Sequence, residues 1–155
     1  MARISNRPAG CYLLISLHGL LGLGAVIGGG ALTLNPSGGW LGMSEDVMKI
    51  ELFPDYRIPG IILLAVLGIA PLILVDALLR KWNWKWGERL NAIKSMHWSW
   101  TFSLYIAFAL LIWISVQIYI IGGSSVVHLL YTGLGLAIQI VSLLPSVWRF
   151  YEAAK

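Results

Sequence analysis

The sequence predicts an all-α membrane protein, a bundle of four transmembrane helices with both ends of the chain in the cytoplasm. Of its 155 residues, 58% are apolar and 12% are charged, whereas a typical soluble domain is about 45–50% apolar and about 25% charged. Four apolar stretches are each long enough to cross a hydrocarbon core about 30 Å thick. Basic residues collect on one side of these stretches. These observations favour a multi-pass protein of the cell (inner) membrane over a soluble domain.

The four predicted spans use most of the chain and leave no room for a soluble domain. An apolar run near the N-terminus can also belong to a secretory signal, but this run exceeds the about 7–15 residues of such a signal. We therefore expect an uncleaved first helix. The spans are placed at about 10–34, 58–79, 98–121 and 126–144, with an outer loop at 35–57 and a cytoplasmic loop at 80–97.

Positive charge predicts the orientation, because cytoplasmic loops retain lysine and arginine during insertion. The opposite side carries only Lys49 and Arg57, in a loop that also holds acidic residues. We expect both termini in the cytoplasm, and we expect the net charge of +4 to meet anionic lipid headgroups, not nucleic acid. The basic residues on the predicted cytoplasmic side are Arg3, Arg7, Arg80, Lys81, Lys85, Arg89, Lys94, Arg149 and Lys155.

The outer loop opens with turn-forming residues, Asn35-Pro36-Ser37-Gly38-Gly39, which end the first span. Ser44, followed by Glu45 and Asp46, is typical of a helix start, because acidic side chains favour the positive end of a helix dipole. A short helix is therefore expected from Ser44 to about Leu52. It is interpreted as a packed cap over the bundle, and a substrate lid is the alternative.

Tryptophan and basic residues alternate in the cytoplasmic loop, a composition typical of the membrane interface. At helical spacing, Trp82, Trp86, Leu90, Ile93 and His97 form one stripe, which predicts an amphipathic helix lying in the interface. The predicted interface anchors are Trp82, Trp84, Trp86, Trp98 and Trp100.

Polar residues inside the spans predict a seam between the first and the fourth helix. At about 1.5 Å per helical residue, His18, Gln139 and Tyr105 fall at a similar depth. Stripes of small and polar residues turn inward in a membrane bundle, because lipid offers no hydrogen bonds. The seam is interpreted as a helix-packing contact, with a hydrated pocket as the alternative. The two stripes are His18, Gly22, Ala25 and Gly29 in the first span, and His128, Thr132, Gly135, Gln139 and Ser142 in the fourth.

The glycine run of the first span predicts close helix packing, for which we nominate Gly22, Gly24, Gly28 and Gly29. It does not have the spacing of a phosphate-binding loop and follows no strand.

Asp76 is the only acid within a predicted span, one turn before Arg80, so the two can pair at i,i+4. A structural ion pair is the favoured interpretation. A role in proton or cation coupling is the alternative, because intramembrane acids often mark such paths.

No residue pattern predicts catalysis, a cofactor or a metal site. Cys11 is the only cysteine, which excludes an internal disulfide and any multi-cysteine metal site. His18 and His128 lie about 15 Å apart in depth, too far for both to ligate one haem iron. No Ser-His-Asp set is visible, so we expect no enzymatic activity.

One set of motifs resembles a recurring pattern in a family of uncharacterised small bacterial membrane proteins with four spans. The motifs are Gly29-Gly30, Asn35-Pro36-Ser37-Gly38, Leu41-Gly42-Met43, Phe53-Pro54-Asp55-Tyr56 and Ile58-Pro59-Gly60. The resemblance implies a bacterial four-span protein and carries no known activity.

These observations favour an accessory or oligomer-forming membrane protein, whose partners are membrane lipid and a homo-oligomer or a larger membrane complex. The alternative is a small transporter or channel that uses the polar seam, and a lipid-modifying enzyme comes third. A wide, wet cavity along the stripe of the fourth span would favour transport. A dry seam and an exposed face of small residues would favour assembly.

Overall fold

The computed structural model describes residues 7–43 and 52–153, and these form a helical bundle. The only extended pairing in this described part is an isolated antiparallel bridge between Met96 and Glu152. The helices are α1 (Ala9–Leu34), α2 (Arg57–Arg80), α3 (Lys85–Leu90), α4 (Trp98–Ile121), α5 (Val126–Leu143) and α6 (Pro145–Tyr151), with a 3₁₀ turn at Gly39–Leu41.

Four of these helices, α1, α2, α4 and α5, are long and apolar enough to cross a membrane. The predicted all-α, four-helix fold class is therefore confirmed, and the fold is compatible with a small integral membrane protein. Their bounds differ from the predicted spans by at most one residue at each end. The placement of both termini in the cytoplasm stays a prediction.

The four spans form a ring in which each packs against its neighbours in sequence. The first span contacts the second and the fourth, and the third contacts the second and the fourth. This is an up-down-up-down order, in which successive helices are antiparallel neighbours. The bundle has one end that carries Arg7, residues 80–97 and α6, and we call it the basic end.

The first two spans cross at very short distance. A Cβ atom built on Gly29 would lie 2.6 Å from the Leu64 nitrogen and 2.8 Å from the Gly60 oxygen. Two helical turns before Gly29, a Cβ on Gly22 would lie 3.1 Å from the Gly68 oxygen. Glycine is needed at these positions because any side chain would separate the two backbones.

The second span is not a regular α-helix throughout. Residues Leu63–Ile69 form a π-helical segment between α-helical parts at Arg57–Ile62 and Ala70–Arg80. Leu64 and Gly68, whose backbone atoms lie nearest to the glycines of the first span, both belong to this segment. The wider π turns therefore form the middle of the surface on which the first span packs.

The outer turn after the first span is built on two glycines in the left-handed region, Gly38 at φ 76° and Gly42 at φ 67°. The Tyr56 backbone N–H donates to the Pro36 carbonyl and connects both ends of the outer loop. The short helix predicted from Ser44 falls on residues 44–51, outside the described residues.

The predicted amphipathic helix of the 80–97 loop is wrong in extent. Helix α3 covers only Lys85–Leu90, and the backbone turns to an extended conformation at Asn91. The following residues pair with the end of α6 and the residues after it: the His97 N–H donates to the Tyr151 carbonyl, and the Ala153 N–H donates to the Ser95 carbonyl. A helix that continued to His97 could not make this pairing.

Candidate functional site

His18 lies at the centre of the bundle. Its side chain is 0% exposed, and neither ring nitrogen has a hydrogen-bond partner. Successive residues of a helix are rotated by about 100° around its axis. Around the axis of the first span, His18 therefore lies about 40° from Gly22, which faces the second span. Gly24 lies on the other side of His18, about 120° away. A Cβ on Gly24 would lie 2.5 Å from the Tyr131 hydroxyl of the fourth span. His18 therefore points inward, between its two neighbouring helices.

The small-residue stripe of the first span packs against the second span and not, as predicted, against the fourth. Gly22 and Gly29 lie against the backbone of Gly68, Gly60 and Leu64. Sequence reasoning missed Gly60 and Gly68. Their eight-residue spacing nearly matches the seven residues between Gly22 and Gly29, and this match was the available signal.

The stripe of the fourth span likewise faces its neighbour in sequence. A Cβ on Gly135 would lie 3.0 Å from Leu111 of the third span, and the Ser142 carbonyl accepts a hydrogen bond from the Trp100 indole at 2.8 Å. Both stripes are therefore used within the two helical hairpins. Small residues mediate these close contacts because they let two helix backbones approach each other.

The predicted contact of His18 with Gln139 is not formed as a hydrogen bond. The Nε2 atom of Gln139 is buried without a partner, as are both nitrogens of His18. Around the axis of the fourth span, Gln139 lies about 80° from Tyr131, the residue that meets the first span. Gly135 lies between the two, so Gln139 is turned away from the first span. Equal depth therefore did not give a hydrogen bond between the two side chains, and the stripes of their helices meet different neighbours.

The other predicted members of the seam lie elsewhere. Tyr105 is 38% exposed; its hydroxyl donates to the Leu90 carbonyl and accepts from the Ala92 N–H, both at 3.1 Å. It fastens the end of α3 to the third span and belongs to no interior layer.

His128 and Thr132 are local features of the start of the fourth span. His128 Nδ1 accepts from the Ser125 N–H at 3.0 Å in a capping box. The Thr132 hydroxyl donates to the His128 carbonyl at 2.8 Å. Both residues satisfy backbone groups at or near a helix end.

Asp76 and Arg80 form the predicted i,i+4 ion pair, with 2.6 Å between the Asp76 Oδ1 and Arg80 Nε atoms. Their side chains are 48% and 76% exposed. The pair lies on the outer surface near the end of the second span, away from the bundle interior.

The predicted packing glycines differ in how closely they are approached. Gly22, Gly24 and Gly29 have no room for a side chain without movement of a neighbour, whereas a Cβ on Gly28 would make an ordinary contact of 3.6 Å with Leu63.

Two of the five predicted tryptophan anchors are core residues. Trp98 and Trp100 are 1% and 5% exposed, and Trp98 packs edge-on against Trp82 and Trp84 with ring centroids about 5 Å apart. The Trp98 indole donates to the Trp82 carbonyl at 2.9 Å. Trp86, at 63% exposed, stays available to an interface. Tertiary packing, which composition does not show, determines which of these rings are buried.

Asn91 organises the basic end and was missed by sequence reasoning. It is 1% exposed; its amide donates to the Met96 carbonyl at 2.8 Å, and its oxygen accepts from the Thr101 hydroxyl at 2.6 Å and the Ile93 N–H at 3.1 Å. The signal was a lone asparagine between a basic helix and an apolar span. Asn91 thus ties the loop to the third span.

Tyr151 closes the basic end from the other side. It is fully buried, and its hydroxyl donates to the Leu78 carbonyl at 2.9 Å. Burial raises the pKa of this phenol, so it remains a neutral hydrogen-bond donor.

No group of three or more His, Cys, Asp or Glu side chains in the described ranges is arranged to hold a metal ion. A shallow open groove of about 410 Å³ lies on the outward face of the third span, lined by Leu111, Ile112, Ser115, Val116 and Tyr119.

No protein-family model matches the chain, and neither the curated proteins nor the solved structures gave a significant match.

Proposed function

We propose that this small membrane protein has no enzymatic activity and acts by assembly, as a member of a homo-oligomer or of a larger membrane complex. The observation that supports it is the use of the interior for packing within the chain. The second span packs against Gly22 and Gly29, Tyr131 packs against Gly24, and the third span packs against Gly135. Tyr105, His128 and Thr132 make separate local contacts and share no hydrogen bond with His18 or Gln139.

The first span also carries small residues on its outward side. A Cβ on Gly19 or Gly30 would meet no atom within 4 Å. These glycines are eleven residues apart and therefore differ by only about 20° around the helix. Ser16 and Leu23 lie on the same side, and both are exposed. We call Ser16, Gly19, Leu23 and Gly30 the outer face of the first span.

Small residues on a lipid-facing helix allow a second helix to approach closely, and van der Waals packing then stabilises the pair. The outer face therefore fits a transmembrane helix of a second copy or of another membrane protein.

Self-assembly can be tested by single-molecule photobleaching in liposomes over a series of protein-to-lipid ratios. We expect wild-type protein to form dimers or larger oligomers, and Gly19→Leu combined with Gly30→Leu to shift the population to monomers. Gly133→Leu is the matched control, because Gly133 also has open space around it but lies on the fourth span. A wild-type protein that stays monomeric at every ratio would refute self-assembly, as would an equal effect of the control.

A second candidate function is transport of a small polar solute or a proton. It is supported by interior polar atoms without partners, on His18, Gln139 and Ser142, which are costly in a bundle that is only structural. Flux into proteoliposomes, measured for wild type and for His18→Leu, tests it. Flux that is absent from wild type, or unchanged in the variant, would exclude a path through His18.

A further inference from the structure

Two cations share one aromatic ring at the basic end. The Arg7 guanidinium donates to the Leu79 carbonyl at 2.6 Å, and its central carbon lies 5.5 Å from the centre of the Phe150 ring. The Lys81 amine donates to the Phe150 carbonyl and lies 3.8 Å from the centre of the same ring. The N-terminal segment, the end of the second span and α6 thus bring two positive charges together.

The two positive charges repel each other at this short range. Burial lowers the pKa of the Lys81 amine; the nearby Cys11 side chain raises this pKa, and the Arg7 guanidinium lowers it. Lys81 also takes a left-handed backbone conformation, at φ 50° and ψ 42°, which disfavours a residue with a Cβ atom. Within the described ranges, the ion pair formed at this end is Asp76 with Arg80, and neither Arg7 nor Lys81 pairs with an acid.

Both cations keep unused hydrogen-bond donors. A guanidinium has five N–H groups and a lysine ammonium has three, and each side chain makes one hydrogen bond among the residues that the structure describes. The remaining donors suit an oxyanion with several acceptor oxygens. A phosphate group is such an acceptor, and arginine binds it with particular geometric fit.

The surroundings of the two cations determine the source of that phosphate. The Arg7 guanidinium carbon lies 5.6 Å from the centre of the Tyr12 ring, which is 57% exposed on the first span. Leu79 is 44% exposed at the end of the second span. The site therefore opens onto apolar, lipid-facing helix surface at the depth where a span ends and headgroups begin.

We propose that Arg7 and Lys81 bind the phosphate of an anionic phospholipid, whose acyl chains run along the exposed surface beside Tyr12 and Leu79. The charge of the two side chains supplies the preference for an anionic over a zwitterionic headgroup. The apolar rim supplies the preference for a lipid over free phosphate.

Native mass spectrometry of the full chain released from nanodiscs can test this site. The nanodiscs contain equal amounts of phosphatidylglycerol and phosphatidylcholine, and the lipid retained by each protein molecule is identified. We expect wild type to retain one phosphatidylglycerol. Arg7→Gln and Lys81→Gln should each weaken this retention about fivefold, whereas Lys81→Arg, which keeps the charge, should retain the preference.

Arg89→Gln is the matched control. Arg89 also lies over an aromatic ring, with its guanidinium carbon 4.9 Å from the Trp86 ring centre, but among the described residues it lies over no ring of the first span or of α6. It should retain phosphatidylglycerol as wild type does. Equal retention of both lipids by wild type would overturn the proposal, even if the glutamine variants fail to fold. It would also be overturned by undiminished retention in folded glutamine variants, or by displacement of the lipid with millimolar inorganic phosphate.

Discussion

Replacing Gly29 by alanine tests the close crossing of the first two spans, and the adjacent Gly30 provides its control. A Cβ on Gly29 would lie 2.6 Å from the Leu64 nitrogen, 2.8 Å from the Gly60 oxygen and 2.9 Å from the Leu64 Cα. All three are backbone atoms and cannot rotate away. Because ordinary contacts of a Cβ lie at 3.4–4 Å, the two helices must separate by up to about 1 Å.

The size of the effect follows from two opposing terms. Overpacking of this kind costs about 1–3 kcal/mol, while alanine improves helix propensity over glycine by up to about 1 kcal/mol. A Cβ on Gly30 meets nothing within 4 Å, so Gly30→Ala has only the second term. The difference between the two variants removes the propensity term, and we expect Gly29→Ala to be less stable than Gly30→Ala by about 1–3 kcal/mol.

The free energy of unfolding can be measured by titration with a denaturing detergent, followed by tryptophan fluorescence, under conditions where the chain is monomeric. Gly28→Ala should behave like Gly30→Ala, because its added atom makes an ordinary contact of 3.6 Å. Equal stability of the Gly29 and Gly30 variants would refute the close crossing.

Three further outcomes are expected. In a Cys11→Ala background, a cysteine at the exposed Ser37 should react with an impermeant thiol reagent from outside the cell and one at the exposed Asn83 should not; the reverse labelling would overturn the predicted orientation. Asn91→Ala should lower the free energy of unfolding by about 1–3 kcal/mol, because buried hydrogen bonds are lost; a change within error would show that other contacts hold the loop. His18→Leu should keep the fold and raise thermal stability, since no hydrogen bond is lost, and a lower melting temperature would contradict this.

The ends of the spans could be predicted from sequence because they depend on local chemistry. Turn formers after Leu34 and basic residues after the second span mark the ends of apolar runs, and these signals act within a few residues. The Asp76–Arg80 pair could be predicted for the same reason, since helical spacing alone brings the two side chains together.

The partners of each helix face could not be predicted in this way. Helical periodicity shows that His18, Gly22 and Gly29 share a face, but not which neighbour that face meets. Gln139 was assigned to the first span from its depth, whereas the rotation of the fourth helix turns its stripe to the third span. Rotation about a helix axis is determined by long-range packing. The burial of Trp98 depends on packing of the same kind.

The pairing of residues 95–97 with residues 151–153 has a consequence for how the chain folds during synthesis. The loop between the second and third spans is held by groups that leave the ribosome only after the fourth span has been made. Until then, the Ser95 carbonyl has no Ala153 N–H, the His97 N–H has no Tyr151 carbonyl, and the Leu78 carbonyl has no Tyr151 hydroxyl. Insertion of the four spans and completion of the basic end are therefore separate events. A nascent chain stalled before Tyr151 would have its four spans in the bilayer but would not yet have formed the contacts between residues 95–97 and residues 151–153.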